Sequence, residues 1–81
     1  MMERKEIYEK LNEIFCDVLD LEDVKLTDDM SSDDFVEWNS LAHVQLVFEI
    51  ETCFNLKFSA KEVLLWENIG EMVDVIQERV K

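Results

Sequence analysis

The side chains of this sequence that could do chemistry are Ser40, His43, the cysteines Cys16 and Cys53, and a crowd of carboxylates. Ser40 and His43 stand three residues apart, a spacing that puts both on one face of a helix and makes a serine–histidine pair geometrically feasible. No orienting acid and no oxyanion hole can be assigned beside them, so hydrolysis ranks below a histidine that is simply exposed. Cys16 and Cys53 form no C-x-x-C pair and have no zinc-ligand partner nearby, which reads as two reduced, small, partly buried apolar residues. Asp28, Asp29, Asp33 and Asp34 lack the D-x-D-x-D-G order and the terminal glutamate of a calcium loop; a solvated acidic surface is the plain reading, with a weak divalent-cation site as the lesser alternative, and no metal-ligating residue is assigned. What remains is a serine at the start of a helix, directly after a long loop. Free N–H groups and the positive end of the helix dipole would favour a phosphate there. Taken alone, the same pattern also describes a serine that only caps its helix.

The elements that must position Ser40 follow from periodicity. Ile7, Leu11, Ile14, Phe15 and Val18 recur at spacings of three and four and define a first helix. Residues 17–37 are rich in acid with Lys25 as the only base, and their Thr-Asp-Asp and Ser-Ser-Asp-Asp clusters predict a long loop, pinned to the core by Leu21, Val24, Leu26, Met30 and Phe35. A second helix starts at Ser40, with Asn39 and Ser40 both good N-caps, and Leu41, Val44, Val47, Phe48, Ile50, Glu51 and Phe54 are expected as its buried stripe. Ser59 and Glu62 have the capping-box spacing and open a third helix of about two turns through Val63, Leu64, Leu65 and Trp66. Asn68 and Glu71 open the fourth, which turns Ile69, Met72, Val73, Ile76 and Val80 inward and ends with Arg79 and Lys81, cations that suit a helix C-terminus. Gly70 in its first turn has no explanation at this level.

The expected fold is therefore all-α: one small four-helix bundle over residues 1–81, with three longer helices, a short third helix and a long loop between the first two. Composition agrees. The chain has no proline, a single glycine and 48% hydrophobic residues, so helices joined by polar loops are favoured over a compact sheet. Eight basic residues against 20 acidic ones leave a net charge of −12, which opposes binding to nucleic acid or anionic membranes and calls for partners with basic patches. Residues 1–5 are charged and no long apolar run follows, so no signal peptide or membrane span is expected and a cytoplasmic monomer is the plain reading.

The run Trp38-Asn39-Ser40-Leu41-Ala42-His43-Val44-Gln45-Leu46, within residues 27–54, resembles the second-helix region of acyl carrier proteins, in particular standalone carriers of the W-D-S-L-x-H variety. The similarity extends over nearly the whole chain, through Phe54, Phe58, the short helix and the last helix. It implies that Ser40, at the serine of the Asp-Ser-Leu motif, is esterified by 4′-phosphopantetheine, whose thiol holds an acyl or aminoacyl group as a thioester. Trp38, Asn39, Leu41, Val44, Gln45 and Phe48 match positions near the arm or at partner contacts. Val44, Val47, Phe58, Leu64, Trp66 and Ile69 are candidates to border an acyl-accepting cleft.

Two departures from the family pattern stand out. Asn39 replaces the usual Asp, which keeps the capping ability and loses a charge that helps a phosphopantetheinyl transferase find its target. Glu37-Trp38 replaces the Gly-Ala of fatty-acid carriers, and few acids follow Ser40. The resemblance thus implies no catalytic residue in the chain and partners among phosphopantetheinyl transferases and acyl- or aminoacyl-activating, transferring and condensing enzymes. A dedicated route, such as polyketide, other secondary-metabolite, aminoacyl or modified-lipid synthesis, is expected over housekeeping fatty acid biosynthesis. The competing expectations are an acidic helical interaction module without a prosthetic group and a small hydrolase using Ser40 and His43.

Overall fold

The computed structural model describes residues 3–80, apart from the side chain of Leu64; the expectation for Lys81 lies outside them. Four α-helices follow in order: α1 (Arg4–Leu19), α2 (Ser40–Phe54), α3 (Ala60–Leu65) and α4 (Ile69–Arg79), with no strand among the described residues. The predicted all-α four-helix fold with a short third helix is what the chain adopts. The acidic loop is shorter than expected, because α1 continues through Asp17 and Val18 to Leu19, and it contains one 3-10 turn at Ser32–Asp34. That turn is closed by Ser31, whose N–H donates to Asp34 Oδ2 at 2.8 Å and whose Oγ accepts from Asp33 N–H at 3.3 Å.

Ile7, Leu11, Ile14, Phe15 and Leu19 of α1 are all buried, as a single stripe with spacings of four, three, one and four. They meet Ala42, Leu46, Ile50 and Phe54 of α2 and Ile69, Met72, Val73 and Ile76 of α4 in one core. The stripe read from the sequence for α2 was the wrong one. Of the residues assigned to it, Leu41, Val44 and Phe48 are exposed, Val47 and Glu51 are half-buried, and only Ile50 and Phe54 reach the core. Apolar residues surround α2 on most sides, so periodicity alone did not select a face; packing against α1 selects the row spaced by four.

Both long helices before α3 end in the left-handed region on a residue other than glycine. Asp20 (φ 56°) and Asn55 (φ 55°) take that conformation, and their N–H groups close on Cys16 O and Glu51 O. Asp and Asn tolerate this region best after glycine, which suits a chain with one glycine.

That glycine serves a close approach. The acidic loop crosses the start of α4, where Ile69 N–H donates to Met30 O at 2.8 Å and Gly70 N–H to Asp28 O at 2.9 Å, satisfying two donors that a helix start leaves free. A Cβ on Gly70 would lie 3.0 Å from Asp28 Cβ and 3.1 Å from its carbonyl oxygen. Leu26 is buried, and its N–H donates to Asn12 Oδ1 at 3.1 Å, while Leu21, Val24, Met30 and Phe35 pack partly buried on the core as anticipated.

A charged clasp holds the same loop. Arg4 reaches Asp74 at 2.7 Å and Asp28 at 3.0 Å, and the Tyr8 hydroxyl donates to Asp28. The Tyr8 hydrogen bond and the Arg4 guanidinium hold the Asp28 carboxyl below its ordinary range. Burial, with that hydrogen bond, pushes Tyr8 up to about 12. The Asp74 hydrogen bond, reinforced by Asp28, raises Arg4. A loop that self-repulsion would drive outward is thereby tied to α1 and α4.

Candidate functional site

Asn39, not Ser40, caps α2. Its Oδ1 accepts from Ala42 N–H at 2.9 Å, with extended backbone at φ −97° and ψ −175°. Ser40 is consequently the first helical residue, exposed, and its hydroxyl has no hydrogen-bond partner among the described residues. The N–H groups of Ser40 and Leu41 are likewise without partners among the described residues, as the start of a helix requires. A serine oxygen projecting into water beside unpaired N–H donors fits a phosphodiester on both steric and electrostatic grounds.

His43 is half-buried, contrary to the exposed position expected of it. The indole N–H of Trp38 donates to His43 Nδ1 at 3.0 Å, and the rings stack 20° from parallel with centroids 5.9 Å apart. With Nδ1 accepting, the neutral imidazole carries its proton on Nε2, and no Ser40–His43 hydrogen bond occurs among the described residues. Among the described residues, Ser40 and His43 are therefore not joined as a nucleophile and its base would be. Trp38 itself is half-buried: it meets Phe15 edge-to-face at 5.1 Å and Phe35 at 6.1 Å, so its bulk anchors the end of the loop to the core. Cys16 is half-buried and Cys53 exposed, both with free thiols; the partial burial expected of Cys53 is not found, because it lies off the inward row of α2.

From Ser40 an open groove of about 910 Å³ runs between α2 and α3. Ser40, His43, Val44, Val47, Phe48 and Glu51 line it on α2, with Phe58, Ala60 and Val63 opposite and Trp38 and Asn39 beside the serine. Of the residues expected to border a cleft, Val44, Val47 and Phe58 do so. Ile69 is fully buried in the core, Trp66 lines a separate small pocket with Met72, and the side chain of Leu64 lies outside the described residues. Ala60 and Glu51 were missed as groove residues; Glu51 in a mostly apolar stretch was the available signal, since a carboxylate there needs a partner, and its Oε2 accepts from Phe58 N–H at 2.8 Å.

On the outer side of α2, Leu41, Val44 and Phe48 are 70%, 65% and 65% exposed, and Gln45 is exposed beside them. No carboxylate occurs between Ser40 and Phe48 in a chain with 20 acidic residues. No helix among the described residues is long and apolar enough to cross a membrane.

Residues 9–76 match the family described as the phosphopantetheine attachment site, so a free serine at the head of α2 lies within a carrier domain of that class. An acyl carrier protein of Rubrobacter xylanophilus is 31% identical over 77 residues, covering 95% of each chain. One of Coprothermobacter proteolyticus is 25% identical over 79 residues, covering 98% of this chain and 96% of that one. The solution structure of the holo acyl carrier protein from Geobacter metallireducens superposes with a TM-score of 0.83 at 29% identity, over 90% of this chain and 84% of that chain. The chain belongs to the acyl carrier protein family, whose prosthetic group is 4′-phosphopantetheine.

Proposed function

We propose that 4′-phosphopantetheine is esterified to Ser40 and that the chain carries acyl or aminoacyl groups as thioesters for a dedicated pathway. The observation that carries this reading is the Ser40 hydroxyl itself, exposed at the first position of α2 while Asn39 does the capping. A serine kept only to cap its helix would not be relieved of that task, which argues against an acidic interaction module lacking a prosthetic group. The arm supplies the thiol that holds the cargo. The residues of the chain do the rest: the N–H groups of Ser40 and Leu41 favour the phosphate, and the apolar groove walls Val44, Val47 and Phe58 shield an acyl chain from water.

Leu41, Val44, Gln45 and Phe48 form the face that partner enzymes meet, and Asn39 keeps the helix start in register beneath them. Trp38 contributes by holding His43 and the loop end in place. The neutral run from Ser40 to Phe48 supports service in a dedicated route, because partners reading it need apolar pockets at the centre and basic groups only at the rim, near Glu37 and Glu49.

Treatment of the purified protein with a broad-specificity phosphopantetheinyl transferase and coenzyme A tests this reading. Intact mass should rise by one phosphopantetheine, and Ser40→Ala should abolish the gain. An unchanged mass with several transferases would refute the assignment.

A further inference from the structure

At six residues, α3 is far shorter than the roughly 12–15 that an isolated helix needs to persist in water, so contacts outside it must hold it in place. Its described side chains supply little anchorage: Glu62 and Val63 are half-buried, and Ala60, Lys61 and Leu65 are exposed. Ser59 Oγ caps it, accepting from Glu62 N–H at 3.1 Å. Phe58 and Trp66, just before and just after the helix, meet edge-to-face at 4.9 Å and close the segment on itself. None of these contacts fixes the distance between α3 and α2.

One guanidinium makes three contacts to this segment. Arg79 Nη1 donates to Lys57 O at 2.6 Å, Nη2 pairs with Glu62 Oε1, and the group lies over the Phe58 ring, 5.6 Å from its centroid. Arg79 stands in the last turn of α4, three residues after fully buried Ile76, so it is tethered to the core. The Glu62 carboxylate forgoes the second half of the predicted capping box to face Arg79, and its Oε2 is buried without a hydrogen-bond partner among the described residues. That inward position is unfavourable without the guanidinium. On the other edge, Glu51 holds Phe58 N–H from α2 at 2.8 Å. Phe58 is therefore fixed between α2 and α4, at the head of the wall formed with Ala60 and Val63.

We propose that Arg79 is the positioning residue of the groove, strapping the α3 segment to α4 and so setting how closely that wall faces α2 and the cargo between them. What the groove holds rests on the carrier reading; the strap rests on geometry alone. A lone exposed ion pair would contribute little, but a planar fork reaching a carbonyl and a carboxylate while covering a ring is not replaceable by a lysine.

The test compares Arg79→Gln and Arg79→Lys with the parent, using amide hydrogen exchange on the unmodified protein. In parallel, a Ser40→Cys form with Cys16→Ala and Cys53→Ser is labelled with acrylodan, an environment-sensitive dye, at the end of the groove. Arg79→Gln should speed exchange of the α3 amides at least tenfold, leave amides around Leu11, Leu46 and Val73 unchanged, and shift dye emission to the red. Arg79→Lys should fall between the two. Parent-like exchange or emission in Arg79→Gln, a uniform rise across all helices, or a lysine variant equal to the parent would each overturn the strap. None of these outcomes depends on the modification of Ser40, whose failure would appear separately as a missing mass gain.

Discussion

On its inner row α2 presents Ala42, Leu46, Ile50 and Phe54, all buried; on its outer row Leu41, Val44 and Phe48 stand 65–70% exposed, beginning one residue after Ser40. Residue types scarcely differ between the two rows, yet one holds the molecule together and the other is left in water. Each fully buried aliphatic of the inner row stabilises the fold by about 1.5–3 kcal/mol relative to leaving it exposed. The outer row forgoes most of that. Stability therefore resides between α1, α2 and α4, whereas the free serine, the groove and the bare apolar row share the opposite side, open to solvent.

The sharpest way to break this comparison is to truncate one phenylalanine on each side. Phe15 is fully buried against Phe35 and Trp38, and Phe15→Ala should cost about 3–5 kcal/mol in a urea titration. Phe48→Ala should stay within about 0.5 kcal/mol of the parent. That same variant should slow phosphopantetheine transfer about fivefold or more, the size of effect expected from truncating an interface anchor. Equal losses of stability would dissolve the distinction between the rows.

A finer division runs between neighbours at the head of α2. Asn39→Ala should lower stability by about 0.5–2 kcal/mol, since the cap on Ala42 N–H is lost. Ser40→Ala should leave it within about 0.5 kcal/mol while removing the proposed site of modification. Reversed magnitudes in thermal denaturation would make Ser40 the cap after all.

The smallest expected effect concerns the loop clasp behind the core. Because the Asp28 carboxyl is held below its ordinary value, its contribution is fully present above the usual aspartate pKa and is lost as pH falls through the lowered one. Asp28→Asn should therefore be less stable than the parent at pH 7, and the gap should close as pH drops below about 4. A gap independent of pH would show that the Tyr8 and Arg4 contacts do not stabilise the ionised form.

Much of this was legible in the sequence, and the remainder was hidden for identifiable reasons. Helices α1 and α4 alternate between apolar and charged residues, so most of their buried faces could be read directly, although buried Leu19 was missed and Val18 and Val80, read as inward, are only half-buried. In α2 the apolar residues go most of the way round, and only packing against α1 revealed which row turned inward. Asn39 and Ser40 both suit an N-cap, and side-chain chemistry could not rank them; the hydrogen bond to Ala42 did. Contacts between residues distant in sequence left no trace: Gly70 beneath Asp28, and Arg79 across α3, emerge only once the chain is folded. The family resemblance of the motif around Ser40 drew attention to the serine, but it was silent on the hydrogen bond that ties His43 to Trp38.

The most direct test of the account is peptide mapping by mass spectrometry of the protein purified from the cells that produce it. We predict phosphopantetheine on the peptide that contains Ser40 and on no other. A bare Ser40 in that material, or the group found elsewhere, would contradict the claim that this exposed hydroxyl is the tether.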